Sequence, residues 1–261
     1  MLHKEFGLIS IIMAAYNAEK TIELAIESVL NQTYSNFELL VINDCSKDRT
    51  AKLVEAFSAK DNRVRLISNE KNCGVSFTRE HGLEEAKGAW IAVLDSDDAW
   101  APEKLEKQIE LQNRTNADLL FTGSAFMDSD GRPIDWYLHA PEEVTYRQLL
   151  KQNILSNSSA LVRKELYAKY YAVGDGMHED FAIWLSILKE GKKAYGVDEP
   201  LLIYRIAKSS KSGNKVKAAK MNWNTYRYIG LNPVEAAYYE GWYMVKNVIK
   251  YTNIKISGGA R

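Results

Sequence analysis

The 261 residues are 46% hydrophobic and 26% charged, the balance of an ordinary globular chain. Lys and Arg number 34, as do Asp and Glu, so net charge gives no reason to expect a polyanionic partner such as nucleic acid. Two cysteines, Cys45 and Cys73, make no disulfide framework, and no apolar run reaches the roughly 18 residues that cross a bilayer.

The opening MLHKEFGLISIIM has no signal-peptide pattern, and a soluble, cytoplasmic protein is expected. Charge is unevenly spread. Residues 208–261 carry ten Lys/Arg against two Asp/Glu, leaving 24 against 32 before them. An acidic body with a basic tail points to an interaction segment.

In chain order, the first 125 residues alternate between two periods. Residues 8–13, 37–43, 64–68, 90–95 and 118–123 are short, β-rich and nearly all apolar, as strands buried on both faces of a parallel sheet must be. Helical stretches separate them. In EKTIELAIESVLNQ the residues Ile22, Ala25, Ile26, Val29 and Leu30 share a face. TAKLVEAF, SFTREHGLEEAKG and PEKLEKQIELQNR follow suit, the last with Pro102 at a first helical position. Repeated strand–helix units imply right-handed crossovers and an open α/β sheet.

After Gly123 the rhythm breaks. FMDSDGRPIDW reads as a hairpin turning at Asp130-Gly131, since a calcium loop would need more ligands downstream. TYRQLLKQ predicts a short helix, and SSALVRKEL a strand running into another. EDFAIWLSILKEG predicts an amphipathic helix burying Phe181, Trp184, Leu185 and Leu188, with Gly191 at its C-terminal cap. EPLLIYRI predicts a strand, residues 208–215 a polar loop, and two aromatic-rich helices follow, parted near Asn232-Pro233. The expected division is a body over residues 1–207, its halves meeting near residue 125, and a tail over 208–261.

Open α/β sheets bind ligands at the carboxyl ends of their strands. That singles out residues 14–17, 43–46, 69–76 and the DSDD run of Asp95, Ser96, Asp97 and Asp98. A turn or helix cap accounts for one acid there but hardly for three. Adjacent carboxylates repel, a cation relieves them, and hard oxygen ligands select Mg²⁺ or Mn²⁺. The D-x-D-x-T of dehalogenase-like phosphohydrolases lacks its threonine here, and no G-x-G-x-x-G follows the first strand to bind a dinucleotide.

Three segments in order, SIIMAAYNAEKTIELAIESVLNQTYSNFELLVINDCSKDRT, NCGVSFTREHGLEEAKGAWIAVLDSDDAWAPEKLEKQ and HEDFAIWLSIL, resemble the bacterial family 2 inverting glycosyltransferases. The resemblance covers roughly residues 8–214. It implies the α/β GT-A fold, an open and mostly parallel sheet flanked by helices, here with a C-terminal helical appendage. It also implies a metal-dependent hexosyl transfer from a nucleotide sugar, most simply UDP-linked, to a saccharide on a lipid carrier. Capsule, exopolysaccharide, O-antigen or teichuronic-type polymers are the implied products. Residues 1–125 would then hold the nucleotide and 126–207 the acceptor.

Carried over by position, the resemblance places Ala14, Tyr16 and Asn17 in the nucleotide pocket, with Tyr16 near the uracil and Asp44 accepting from the base imide. Arg79 would steady the nucleotide end, and Asp95 and Ser96 would lie near the ribose and diphosphate. Asp97 would bind the metal and Asp98 orient the site. Where the family usually has Asp-Asp-Gly-Ser this chain has Asn43-Asp44-Cys45-Ser46, and Glu80 stands at a common Asn.

Asp180, second acid of the pair Glu179-Asp180, would be the catalytic base, with Trp184 packed beneath. Read without the resemblance, the same pair caps its helix and complements the dipole. His178 reads as structural or as an acceptor contact. Arg205, Lys208, Ser210 and Ser212 would close over the diphosphate, although Ala207 replaces a common His. Acceptor specificity would lie around residues 136–139 and 156–159.

In the tail Trp223, Tyr226, Tyr228, Tyr238, Tyr239, Trp242 and Tyr243 interleave with Lys220, Arg227, Lys246 and Lys250. That composition suits peripheral contact with an anionic membrane at the inner face of the cell. It suits equally well packing onto the body, or a homodimer contact. Two other functions remain open: a non-catalytic nucleotide- or glycan-binding partner in an assembly complex, and phosphohydrolase chemistry at DSDD.

Overall fold

The computed structural model describes residues 6–171, 174, 176–206 and 215–258. Strands β1 (Ile9–Ala15), β2 (Phe37–Asn43), β3 (Val64–Ser68) and β4 (Trp90–Val93) pair in parallel in the order β3-β2-β1-β4. Helices α1 (Ile22–Leu30), α2 (Thr50–Ser58) and α3 (Val75–Glu85) make the crossovers. All of β2 and β4 and nearly all of β1 are buried, which is why these strands read as unbroken apolar runs. Close approach fixes α3 on the sheet. A Cβ on Gly82 would stand 2.7 Å from both Ile12 Cγ2 and Ile42 Cδ1, so this contact requires glycine.

Beyond β4 the pairing changes. β9 (Leu161–Arg163) enters antiparallel between β4 and β6 (Leu119–Met127), and β10 (Ala194–Arg205) runs parallel to β6. β5 (Ala99–Trp100) closes that edge against β10. β7 (Pro133–Leu138) folds back on β6 as the expected hairpin, with Gly131 at φ +83° in the turn, and β8 (Glu143–Val144) pairs with β10. β10 starts five residues before the predicted strand at Glu199, because its register with β6 slips between Val197 and Leu202. The residues of that slip, Asp198 to Pro200, break the apolar pattern.

Helices cover both faces, the three-layer arrangement that buries a sheet apolar on both sides. One face carries α1, α2 and α4 (Lys104–Thr115) over Ile11, Met13, Leu39 and Val41. The other carries α3, α5 (Tyr146–Leu149), α6 (Lys164–Lys169) and α7 (Glu179–Lys189), whose Phe181 and Trp184 are fully buried. Gly191, φ +83°, ends α7 as its sequence predicted.

The tail packs on this second face as α8 (Lys215–Tyr228) and α9 (Pro233–Gly258). Tyr226 is buried 5.9 Å from the ring of Phe181. The break between the helices is a reciprocal cap: Asn232 Oδ1 accepts from the Val234 and Glu235 amides, and Glu235 accepts from the Asn232 amide. No helix among the described residues is long and apolar enough to cross a membrane.

Candidate active site

β1, β2 and β4 end at one edge of the sheet, so the loops that follow them open side by side. The first two are knitted together. Asn17 sits in the left-handed region at φ 50°, which asparagine tolerates. Its amide N–H donates to Ser46 Oγ (3.0 Å) and its Oδ1 accepts from the Lys47 amide (2.8 Å). The Ala18 amide donates to Thr50 Oγ1 and the Glu19 amide to Asp48 Oδ2. Asn17 therefore ties the two loops together, while Ala14 is half-buried and Tyr16 is left 50% exposed.

Asp44 is buried at the end of β2, and its carboxylate reaches across to the loop that opens α3. Oδ1 accepts from the Cys73 amide and Asn69 Nδ2 (2.8 Å each), and Oδ2 accepts from the Gly74 amide (2.9 Å). A carboxylate has about four acceptor sites, and three are taken. Asp44 thus joins the two loops as a cap on α3 and keeps little capacity for a ligand. The departure from Asp-Asp-Gly-Ser has a visible geometry, because Cys45 adopts φ 60°, where glycine is at ease.

At DSDD the strand ends at Val93 rather than Asp95, and residues 95–98 form a tight turn closed by the Asp98 amide on Asp95 O (3.0 Å). Ser96 and Asp97 are half-buried and Asp98 is buried. Beneath the turn lies a 3₁₀ turn, Asn157–Ser159. Ser158 Oγ accepts from the Asp95 amide (3.2 Å), Trp100 Nε1 donates to Ser158 O (2.7 Å), and Gln108 Nε2 donates to Ser159 O (2.9 Å). Lys104, fully buried, donates to Gln108 and lies 4.0 Å over the Trp100 ring; burial drives its pKa well below the usual lysine value.

Arg205 departs from its expected place in a closing loop. Buried at the end of β10, it gives its amide to Asp98 Oδ1 (3.0 Å) and its Nε to Asp97 O (2.9 Å). Its Nη1 reaches the carbonyls of Asp128 and Ser129, so it staples DSDD to the hairpin turn. Lys208, Ser210 and Ser212 lie outside the described residues.

Arg79 is 7% exposed and donates to two carboxylates, Asp95 and Glu179. Burial opposes its charge, but Asp95 and Glu179 outweigh it and hold the guanidinium protonated, well above the usual arginine range. Asn157, with its amide oxygen turned inward, accepts from both terminal nitrogens (3.3 and 3.2 Å). Through these two carboxylates Arg79 joins the end of β4 to the start of α7. Asp180, next to Glu179 in the first turn of α7, is half-buried; burial raises its pKa, and the nearby His178 works the other way. Trp184 lies fully buried one turn on, and the His178 amide donates to Thr225 Oγ1 of α8 (3.1 Å).

No group of three or more His, Cys, Asp or Glu side chains among the described residues forms a metal cage. DSDD fits a divalent ion of another kind. Burial first, and then the charge of Asp95, push Asp97 upward, and the same causes with Asp97 added push Asp98 far up. Asp98 Oδ2 is buried with no hydrogen-bond partner. Crowded hard oxygens of this kind suit Mg²⁺ or Mn²⁺ held by one or two carboxylates, with phosphate and water completing the shell.

Asn157 and Ser158, which the sequence marked only for specificity, prove to hold Arg79 and Asp95. Lys104 and Thr225 were not singled out, and a helical lysine or threonine carries no local signal for such a role.

A parallel β3-β2-β1-β4 half, extended through an antiparallel strand and carrying an acidic turn at its carboxyl edge, is the GT-A architecture of nucleotide-sugar transferases. Staphylococcus aureus TarS 1–349, solved with UDP-GlcNAc, superposes with a TM-score of 0.69 at 21% identity, over 87% of this chain and 69% of that one. Mannosyltransferase PcManGT from Pyrobaculum calidifontis, solved with GDP-Man and Mn²⁺, gives 0.67 at 15% identity, over 90% and 68%.

The chain belongs to glycosyl transferase family 2, whose model matches residues 10–170. It is 39% identical over 222 residues to the putative teichuronic acid biosynthesis glycosyltransferase TuaG of Bacillus subtilis (strain 168), covering 85% of this chain and 88% of that one. It is 36% identical over 245 residues to the Escherichia coli UDP-Glc:alpha-D-GlcNAc-diphosphoundecaprenol beta-1,3-glucosyltransferase WfgD, covering 94% and 95%.

Proposed function

We propose that this protein is an inverting, divalent-metal-dependent hexosyltransferase that moves a sugar from a UDP-linked donor to a saccharide on a lipid carrier, in cell-surface polysaccharide synthesis. One observation carries the chemistry: Asp180 and the DSDD turn are bolted into one site by the run Glu179–Arg79–Asp95. The activity for which WfgD is named, with a UDP-Glc donor and an undecaprenol-linked acceptor, supports the choice of substrates. UDP-GlcNAc in TarS and Mn²⁺ in PcManGT support the donor class and the metal.

In this reading Tyr16 stacks on the base, and Asp44 with Asn17 sets the loops around it. Asp180 accepts the proton of the acceptor hydroxyl as that oxygen attacks the anomeric carbon opposite the diphosphate. The carbon–oxygen bond to the diphosphate breaks with its electron pair on the leaving group, and the anomeric centre inverts through an oxocarbenium-like state. A raised pKa suits Asp180 to this task, because a base nearer the working pH accepts a proton more readily. Mg²⁺ or Mn²⁺, when bound at Asp97, supplies charge neutralisation for the departing diphosphate. Residues 1–125 hold the donor and 126–207 the acceptor, with the tail at the inner membrane face.

Turnover of UDP-, GDP- and dTDP-sugars, with Mn²⁺ or with a chelator, tests this. UDP release that needs Mn²⁺, is lost in Asp97→Ala, and becomes transfer only with an intact Asp180 is the expected pattern. Donor binding without turnover would establish a non-catalytic member instead. Phosphate release through a phosphoaspartate would make it a phosphohydrolase.

A further inference from the structure

Helix α7 opens without a cap of its own. Its first turn carries Glu179 and Asp180, yet His178 at the N-cap is not among the side chains that usually hold a first turn, and it makes no side-chain cap bond. The entrance is held from outside, by α8. Thr225 Oγ1 accepts from the His178 amide (3.1 Å), and Asn224 Nδ2 donates to Gly176 O (2.7 Å). The ring of Tyr226 meets that of Phe181 at 5.9 Å, and its hydroxyl donates to Leu150 O (2.7 Å). Three consecutive residues of α8 thus grip positions on both sides of Asp180.

The grip is directed. Thr225 is fully buried, and its hydroxyl donates to Met221 O one turn back (3.0 Å), as a helical threonine can. That bond takes the hydroxyl proton and leaves a lone pair for the His178 N–H. On the other flank the Gly174 amide donates to Ser76 Oγ (3.2 Å) and the Tyr171 hydroxyl to Ser76 O (2.6 Å), in the first turn of α3. Lys189 Nζ donates to Ile229 O (2.7 Å), so the tail also holds the far end of α7. The family model matches residues 10–170, well short of α8, and nothing in the matched stretch supplies Asn224 or Thr225.

We propose that Asn224 and Thr225 are positioning residues for Asp180, so that the tail completes the active site by setting where the base stands relative to the DSDD turn. This rests on the reading of Asp180 as the base; the contacts that carry it do not. Misplacing a reacting group by about 1 Å can cost roughly 10²-fold in rate.

Thr225→Val keeps the shape and removes the acceptor, whereas Thr225→Ser keeps the acceptor. Asn224→Ala, at a half-buried contact, reads the same clamp should Thr225→Val not fold. Hydrogen exchange of the full chain, followed by mass spectrometry, should show the amides of residues 178–182 exchanging about fivefold faster in Thr225→Val and Asn224→Ala, and at the wild-type rate in Thr225→Ser. Transfer is measured with the nucleotide sugar that turns over in the test above and a saccharide diphospholipid. There kcat should fall about tenfold in Thr225→Val and Asn224→Ala, with the donor KM within about twofold of wild type and most of kcat recovered in Thr225→Ser. A role in stability alone would lower the melting temperature and leave kcat per folded molecule unchanged. Wild-type exchange in both disrupting variants, faster exchange with an unchanged kcat, or a Thr225→Ser as slow as Thr225→Val would overturn the proposal. Full transfer by Asp180→Asn would remove the base reading alone, because the exchange measurement needs no substrate and decides the clamp by itself.

Discussion

Removing Glu179 tests whether Arg79 is held by its partners or by water. Both side chains are nearly closed to solvent, Glu179 at 8% exposure and Arg79 at 7%. Breaking a buried pair by deleting one member leaves a stranded charge and costs about 3–5 kcal/mol. Asp95 remains as a second, partly exposed partner, so the lower end, about 3 kcal/mol, applies to Glu179→Ala. In a chain of this size each kcal/mol moves the melting temperature by roughly 2–4 °C, so the variant should melt at least about 6 °C lower. Calorimetry and urea titration both read this. Adding Arg79→Met in the same chain should recover much of the loss, since Asp95 alone can hydrate, and the cycle should show coupling of about 1 kcal/mol or more. A Glu179→Ala midpoint within about 1 kcal/mol of wild type would refute the reasoning, because the guanidinium would then be solvated.

Further outcomes are expected at three other positions. Asp180 works deprotonated and burial raises its pKa above the ordinary 3.8, so kcat/KM for transfer should fall as pH drops through that raised value. Asp180→Asn should remove the acid limb along with roughly 10²–10⁴-fold of the rate. Burying the charged form costs stability fully above the raised pKa and nothing well below 3.8, so the same variant should melt higher than wild type at neutral pH and match it only well below pH 3.8. Cys45→Gly should raise stability by about 0.5–1 kcal/mol in urea, the relief of a left-handed side chain less the entropy glycine loses on folding. Gly82→Ala should lower it by about 1–3 kcal/mol, because the added methyl meets Ile12 and Ile42.

What could be read in advance followed from burial and local pattern. β2 and β3 begin and end where their apolar runs do, and the α7 cap at Gly191 was visible because a left-handed glycine closes many helices. β9 was harder to delimit, because three residues have no period of their own and its antiparallel place between β4 and β6 is a tertiary fact. Arg79 read as a nucleotide contact because its partner Glu179 is 100 positions away. Arg205 gave no hint of its role, since its acceptors are mostly main-chain carbonyls, which no side-chain identity records. Lys104 looks like any helical lysine until Trp100 is seen beneath it. The tail's aromatic residues read as one group, and only the packing separates inward Tyr226, Tyr239 and Tyr243 from outward Tyr238 and Trp242.

The route of the sheet constrains how such a chain can change. β9 comes late in the sequence yet is inserted between β4 and β6, so a cut near residue 125 leaves β4 with an unsatisfied edge and strips β6 of a neighbour. Chimaeras that swap front and back portions between relatives should therefore misfold, however well the portions match individually. New specificities are more readily gained by exchanging the loops at the sheet's rim, where a lineage can vary its sugars while the shared ladder beneath stays whole.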